Sequence, residues 1–112
     1  MQEDRVDVPE IDVDELAALR EQGAQVIDVR EPDEYTEAHV PGALLIPLTT
    51  VPDQLKQFPT EGPVYVICAA GGRSRKASEF LRGNGVDAIN IAGGTRAWLA
   101  AGFPFSTGTD AG

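Results

Sequence analysis

Val64-Tyr65-Val66-Ile67-Cys68-Ala69-Ala70-Gly71-Gly72-Arg73-Ser74 is the stretch on which the reading of this chain turns. The apolar, mostly β-branched run before Cys68 reads as a buried strand, and the small residues after it turn the backbone toward a helix that begins near Arg73. A strand that ends on a cysteine and enters a helix in this way aims backbone N–H groups at the sulfur, and the helix N-terminus adds positive potential. Thiolate is the reactive form of cysteine, and a helix N-terminus with an arginine beside it favours that form. Cys68 is therefore read as a nucleophile rather than as a small apolar residue that merely closes a strand.

Outward from this loop, apolar runs alternate with helical patterns, as in a parallel sheet with crossover helices. Residues 6–8 form a short extended piece that ends at Pro9, and Asp12 opens a helix with Val13, Leu16, Ala17 and Leu19 on its apolar face, closed by Gly23. Val26-Ile27-Asp28-Val29 is the second strand, and Pro32 starts a short helix over 33–38. Residues 43–46 are a third strand stopped by Pro47, and 49–58 a further helix with Val51, Leu55 and Phe58 on one side. After the Cys68 strand, a helix runs over 73–82 with Ala77, Phe80 and Leu81 inward. Ala88-Ile89-Asn90-Ile91 is the fifth strand, Gly93-Gly94 a turn, and Thr95 the cap of a last helix that carries Trp98 and Leu99. The pattern predicts an α/β domain of three layers, α/β/α, around five strands. It spans residues 1–105, with 106–112, small and polar, as a disordered tail. Sites in open parallel sheets lie beyond the carboxyl ends of the strands. The Cys68 loop, the segment 30–34 and the turn 92–95 should therefore meet in one pocket.

With 112 residues the chain is the size of one domain. Its single cysteine excludes an internal disulfide framework, and no cysteine or histidine spacing suits a metal, so no metal or cofactor is expected. Eighteen acidic against nine basic residues give a net charge of −9, the wrong sign for nucleic acid or an anionic membrane. The N-terminus is acidic and polar where a secretion signal would be basic and then apolar, which points to a cytoplasmic protein, expected as a monomer.

Five motifs, Val26-Ile27-Asp28-Val29-Arg30-Glu31, Glu34-Tyr35, His39-Val40-Pro41-Gly42-Ala43, the 68–74 loop, and Ala92-Gly93-Gly94-Thr95 with Trp98, occur in order along the chain. Their ordered set resembles the rhodanese-like sulfurtransferases in single-domain form. The resemblance implies a five-stranded parallel sheet and a sulfane sulfur accepted by Cys68 as a persulfide. It implies small-molecule sulfur donors, thiosulfate or a persulfide, and as acceptor a small nucleophile such as cyanide or a thiol, or a partner protein. With no second cysteine to resolve the persulfide internally, the acceptor must be external. Ala69, Ala70, Gly71, Gly72, Arg73 and Ser74 become the substrate-binding loop, whose amides would surround the outer sulfur. Arg73 serves either a bound anion or an acid such as Asp28 or Glu31. Asp28 and Arg30 are expected to pair behind the loop, His39 to shape the approach to the third strand, and Trp98 to lie in the core. An ionised thiol needs no base, so His39 is not read as one.

Two other readings compete. Cell-cycle phosphatases share the fold, but their loops hold five residues between cysteine and arginine, against four here; a shorter loop suits one sulfur atom better than a tetrahedral oxyanion. A phosphatase, an arsenate reductase, or a binding or sulfur-carrier module with little turnover are the alternatives.

Overall fold

Four of the five expected apolar runs become strands of one parallel sheet in the computed structural model, which describes residues 7–111. The strands are β1 (Glu10–Ile11), β2 (Gln25–Asp28), β3 (Leu44–Leu45), β4 (Pro63–Ile67) and β5 (Asp87–Ile91), in the order β1-β5-β4-β2-β3. The central strand is β4, paired to β2 through Asp28↔Ile67 and to β5 through Val66↔Asn90. The helices are α1 (Val13–Arg20), α2 (Pro32–Glu37), α3 (Gly72–Arg82) and α4 (Gly94–Ala100), with a 3₁₀ segment over Leu48–Gln57.

The alternation of strand side chains divides the core into two. Val64, Val66 and Cys68 share one face with Ile27 and Val29, and pack on Ala77 and Leu81 of α3 and on Val51 and Phe58. Tyr65 and Ile67 face the other way, against Leu16 of α1, Tyr35 of α2 and Trp98 of α4. This period of two is what turns Cys68 toward α3 instead of toward α1 and α4.

Several elements differ from their sequence reading. Residue 6 lies outside the described residues, 7–9 carry no regular structure, and the first strand is instead Glu10–Ile11, seated on Asn90 and Ile91 of β5. The 49–58 helix is 3₁₀ in type, because Pro52 within it cannot donate to an α-helical ladder, and it kinks at Gln54. Phe80 is exposed at 39 %, since the buried stripe of α3 is Ser74, Ala77, Ser78 and Leu81.

The segment expected as a disordered tail is tied down as far as Ala111. Ser106 and His39 exchange both backbone hydrogen bonds, Gly108 N–H donates to Thr36 O, and Gly42 N–H to Ala111 O. Backbone groups do this work, so polar composition gave no sign of it. Among the described residues, no helix is long and apolar enough to cross a membrane.

Candidate active site

Cys68 follows the last residue of β4 at the carboxyl edge of the sheet, between β2 and β5, and is 1 % exposed. Its carbonyl and that of Ala69 are turned toward α4, where they accept from Thr95 N–H at 2.8 Å and Arg96 N–H at 3.0 Å. Two of the four N–H groups that a helix start leaves unpaired are thereby satisfied. Those carbonyls, with Gly93 in the left-handed region at the cap position, do the capping expected of Thr95, whose own hydroxyl is buried without a hydrogen-bond partner among the described residues.

With the carbonyls turned away, donors collect on the sulfur. Gly71 N–H lies 3.1 Å from Sγ and the Ser74 hydroxyl 3.2 Å. Gly71 reaches this position at φ +111°, a conformation open to glycine and strained for other residues. Burial pushes the Cys68 thiol up, but hydrogen bonds from the Ser74 hydroxyl and from the N–H groups of Ser74, Gly71 and Ala70 outweigh it and hold the thiol below its ordinary value. The rate of alkylation by iodoacetamide against pH should accordingly show a midpoint below the roughly 8.5 of a free cysteine. A midpoint at or above that value would mean that the donors do not favour the thiolate.

Arg73 does not pair with Asp28 or Glu31. Its guanidinium meets Glu34 of α2 in a two-pronged contact, Nη1 to Oε1 at 2.7 Å and Nη2 to Oε2 at 2.9 Å, bracing the start of α3 against α2. The Glu34 Oε1 also accepts from Glu31 N–H at 2.9 Å, at the start of its own helix. Arg73 holds the Glu34 carboxyl down to about 2. The brace is thus fully present above the ordinary carboxylate range and is lost as pH falls toward 2.

Asp28 and Arg30 form the expected pair, with Nε 3.0 Å from Oδ1 and Nη2 2.9 Å from Oδ2, both residues buried. Arg30 Nη2 also donates to Ala38 O at 2.8 Å. The pair ties the end of β2 to the end of α2, beside the Cys68 strand. His39 is buried and stacked on Tyr35, ring centroids 3.7 Å apart. Its ring nitrogens lie 2.8 Å from Tyr35 O and 2.9 Å from Asp110 O. It thus holds α2 and the C-terminal segment together, and its hydrogen bonds go to neither Cys68 nor the 68–74 loop. Trp98 is fully buried, its indole N–H donating to Pro104 O at 2.7 Å.

The structure therefore joins the three segments expected at one edge, through Arg73–Glu34 and through the carbonyls of 68–69 on α4. The 12–101 portion of the chain matches the family model described as a rhodanese-like domain. The chain belongs to the rhodanese-like family. The rhodanese-like domain protein of Staphylococcus aureus superposes with a TM-score of 0.78 at 40 % identity, covering 81 % of this chain and 91 % of that one. Among curated relatives, the uncharacterized protein YqhL of Bacillus subtilis is 42 % identical over 67 % of this chain, and the match spans 60 % of YqhL. The thiosulfate sulfurtransferase GlpE of Pseudomonas syringae is 32 % identical over 76 % of this chain and 81 % of its own length. These likenesses agree with the family model in placing the chain among rhodanese-like proteins.

Three residues of the candidate site have contacts that the sequence reading did not assign. Glu34 stood in a quoted motif, but its pairing with Arg73 spans 39 positions and has no local signature. Asn90 carried a signal, a polar side chain within an apolar strand, and the structure buries it to 1 % exposure, where it asks for a partner. Gly94 was placed in the turn expected beside the Cys68 loop, but its close approach to the Cys68 carbonyl is a tertiary fact with no local signature.

Proposed function

We propose that this protein transfers a sulfane sulfur from a donor to an external nucleophile through a persulfide on Cys68. The observation that carries this reading is the set of N–H and O–H donors gathered on Cys68 Sγ by a loop of small residues. The thiolate attacks the outer sulfur of thiosulfate or of a persulfide donor. A bond from Sγ to that sulfur forms, the donor's S–S bond breaks, and its electron pair leaves with sulfite or with the donor's thiolate. An acceptor such as cyanide, a thiol or a sulfur-accepting protein then attacks the outer sulfur, and the electron pair of the Sγ–S bond returns to Sγ. Ala69, Ala70, Gly71 and Gly72 leave the loop amides unobstructed, and Ser74 adds a hydroxyl. Asp28, Arg30 and His39 position the scaffold around the loop. No step requires a metal or cofactor.

Arg73 acts here as a brace and not as a free anion receptor, because Glu34 occupies its guanidinium. The 68–74 loop then offers thiosulfate its amides but no unpaired cation. Thiocyanate formation from thiosulfate and cyanide tests the reaction, and Ala69→Arg tests the donor preference. That substitution should lower KM for thiosulfate about two- to fivefold with kcat little changed, since one exposed charge adds mainly uniform binding. The gain should be larger at low ionic strength and much smaller for a thiol-bound persulfide donor. An equal response for both donors, or none at low salt, would show that the missing cation does not limit thiosulfate use.

A further inference from the structure

Behind the cysteine the Ser74 hydroxyl leads into a chain of hydrogen bonds, through Asn90 to Glu10, that the transfer steps above do not use. The Ser74 hydroxyl lies within hydrogen-bond reach of two acceptors, Cys68 Sγ at 3.2 Å and the Asn90 carboxamide oxygen. Asn90 Nδ2 donates to the Glu10 carboxylate at 2.7 Å and to Gly71 O at 3.2 Å. Both of those partners are acceptors only, so the amide nitrogen must face them and the amide oxygen must face Ser74. The charged groups around this chain are Glu10 from β1, Arg75 of α3 at 3.4 Å from the Glu10 carboxylate, and Arg73 of α3 on Glu34 of α2.

A hydroxyl has one proton, and here two acceptors contend for it. When Sγ carries no charge, every group is satisfied with the Ser74 proton on Asn90. When Sγ is an anion, the charged acceptor is the stronger one and draws that proton to itself. We propose that Asn90 is a positioning residue for Cys68, holding the Ser74 hydroxyl proton while Sγ is uncharged and yielding it when Sγ becomes an anion. Asn90 does this from β5, and through Gly71 O it also fixes the loop that bears the amide donors. In turnover the exchange falls in the step in which the acceptor attacks the outer sulfur. The Sγ–S bond breaks, its electron pair goes to Sγ, and Ser74 turns from Asn90 to meet the new charge.

The consequence for turnover rests on the sulfur-transfer reading, but the switch itself can be read on the resting thiol, so failure of either leaves the other standing. The pH midpoint of Cys68 alkylation is measured for the wild type, Asn90→Ala, Ser74→Ala and the double variant. Removing Asn90 frees the Ser74 proton for Sγ and also loosens Gly71, and only the first effect needs Ser74. The change caused by Asn90→Ala should therefore lie about one pH unit lower with Ser74 present than with Ser74→Ala. Equal changes in the two backgrounds overturn the proposal. Should the variants fold poorly, the wild type still decides. The carbon resonance of the Asn90 carboxamide should move with the Cys68 titration midpoint, and a flat response across that midpoint overturns the proposal equally.

Discussion

Cys68→Ser is expected to fold as the wild type does and to lose sulfur transfer by at least about a thousandfold in kcat/KM. A serine hydroxyl is close to the thiol in size and finds the same partners, Gly71 N–H and the Ser74 hydroxyl, so burial at this position leaves no unsatisfied group. What is lost is the nucleophile: an un-ionised serine hydroxyl needs a general base, and both ring nitrogens of His39, the only histidine, lie on carbonyls. Thiocyanate formation measured beside the thermal unfolding midpoint separates the two effects. More than trace activity in a folded Cys68→Ser protein would remove the covalent mechanism.

The second large effect is expected at a residue without a side chain. A Cβ at Gly94 would sit 2.4 Å from Cys68 O and 2.6 Å from Ala69 O, and the residue holds φ +60°. The obstructing atoms are backbone, and they are the same carbonyls that cap α4 and turn the loop amides toward Sγ. Gly94→Ala should cost about 3 kcal/mol or more from combined overlap and backbone strain. That corresponds to a loss of roughly 10–20 °C in Tm for a domain of this size. Sulfur transfer in the surviving folded fraction should fall as well, because α4 can be relieved only by displacing 68–69. A Tm within a few degrees of the wild type would show that α4 does not abut the loop as described.

How much of this was legible in the sequence depends on whether a feature is local. The strands β2, β4 and β5 stand out because each is a run of apolar, β-branched residues bounded by Gly, Pro or Asp, and the Cys68 loop follows directly from where β4 stops. The Asp28–Arg30 pair was legible because its partners are two residues apart at a strand end. By contrast β1 is two residues long and includes the exposed Glu10, so its pairing with β5 leaves no periodicity to find. Of the two roles open to Arg73, a bound anion or a nearby acid, the structure shows an acid, but Glu34 and not Asp28 or Glu31, because local spacing cannot rank acids that the fold brings across from α2. The C-terminal segment was misjudged for a related reason: residues such as Gly108 and Ala111 are held through backbone groups that every sequence possesses. Phe80 shows the opposite error, since a large apolar side chain was assumed to face inward where smaller serines and alanine fill the buried stripe.

The mass of the intact protein after incubation with thiosulfate, and separately with a persulfide donor, bears most directly on whether Cys68 carries the sulfur. With one thiol in the chain, the wild type should gain the mass of one sulfur atom from at least one donor and lose it again on adding cyanide, while Cys68→Ser gains nothing. An unchanged wild-type mass with both donors, or a sulfur gained by Cys68→Ser, would contradict transfer through a Cys68 persulfide.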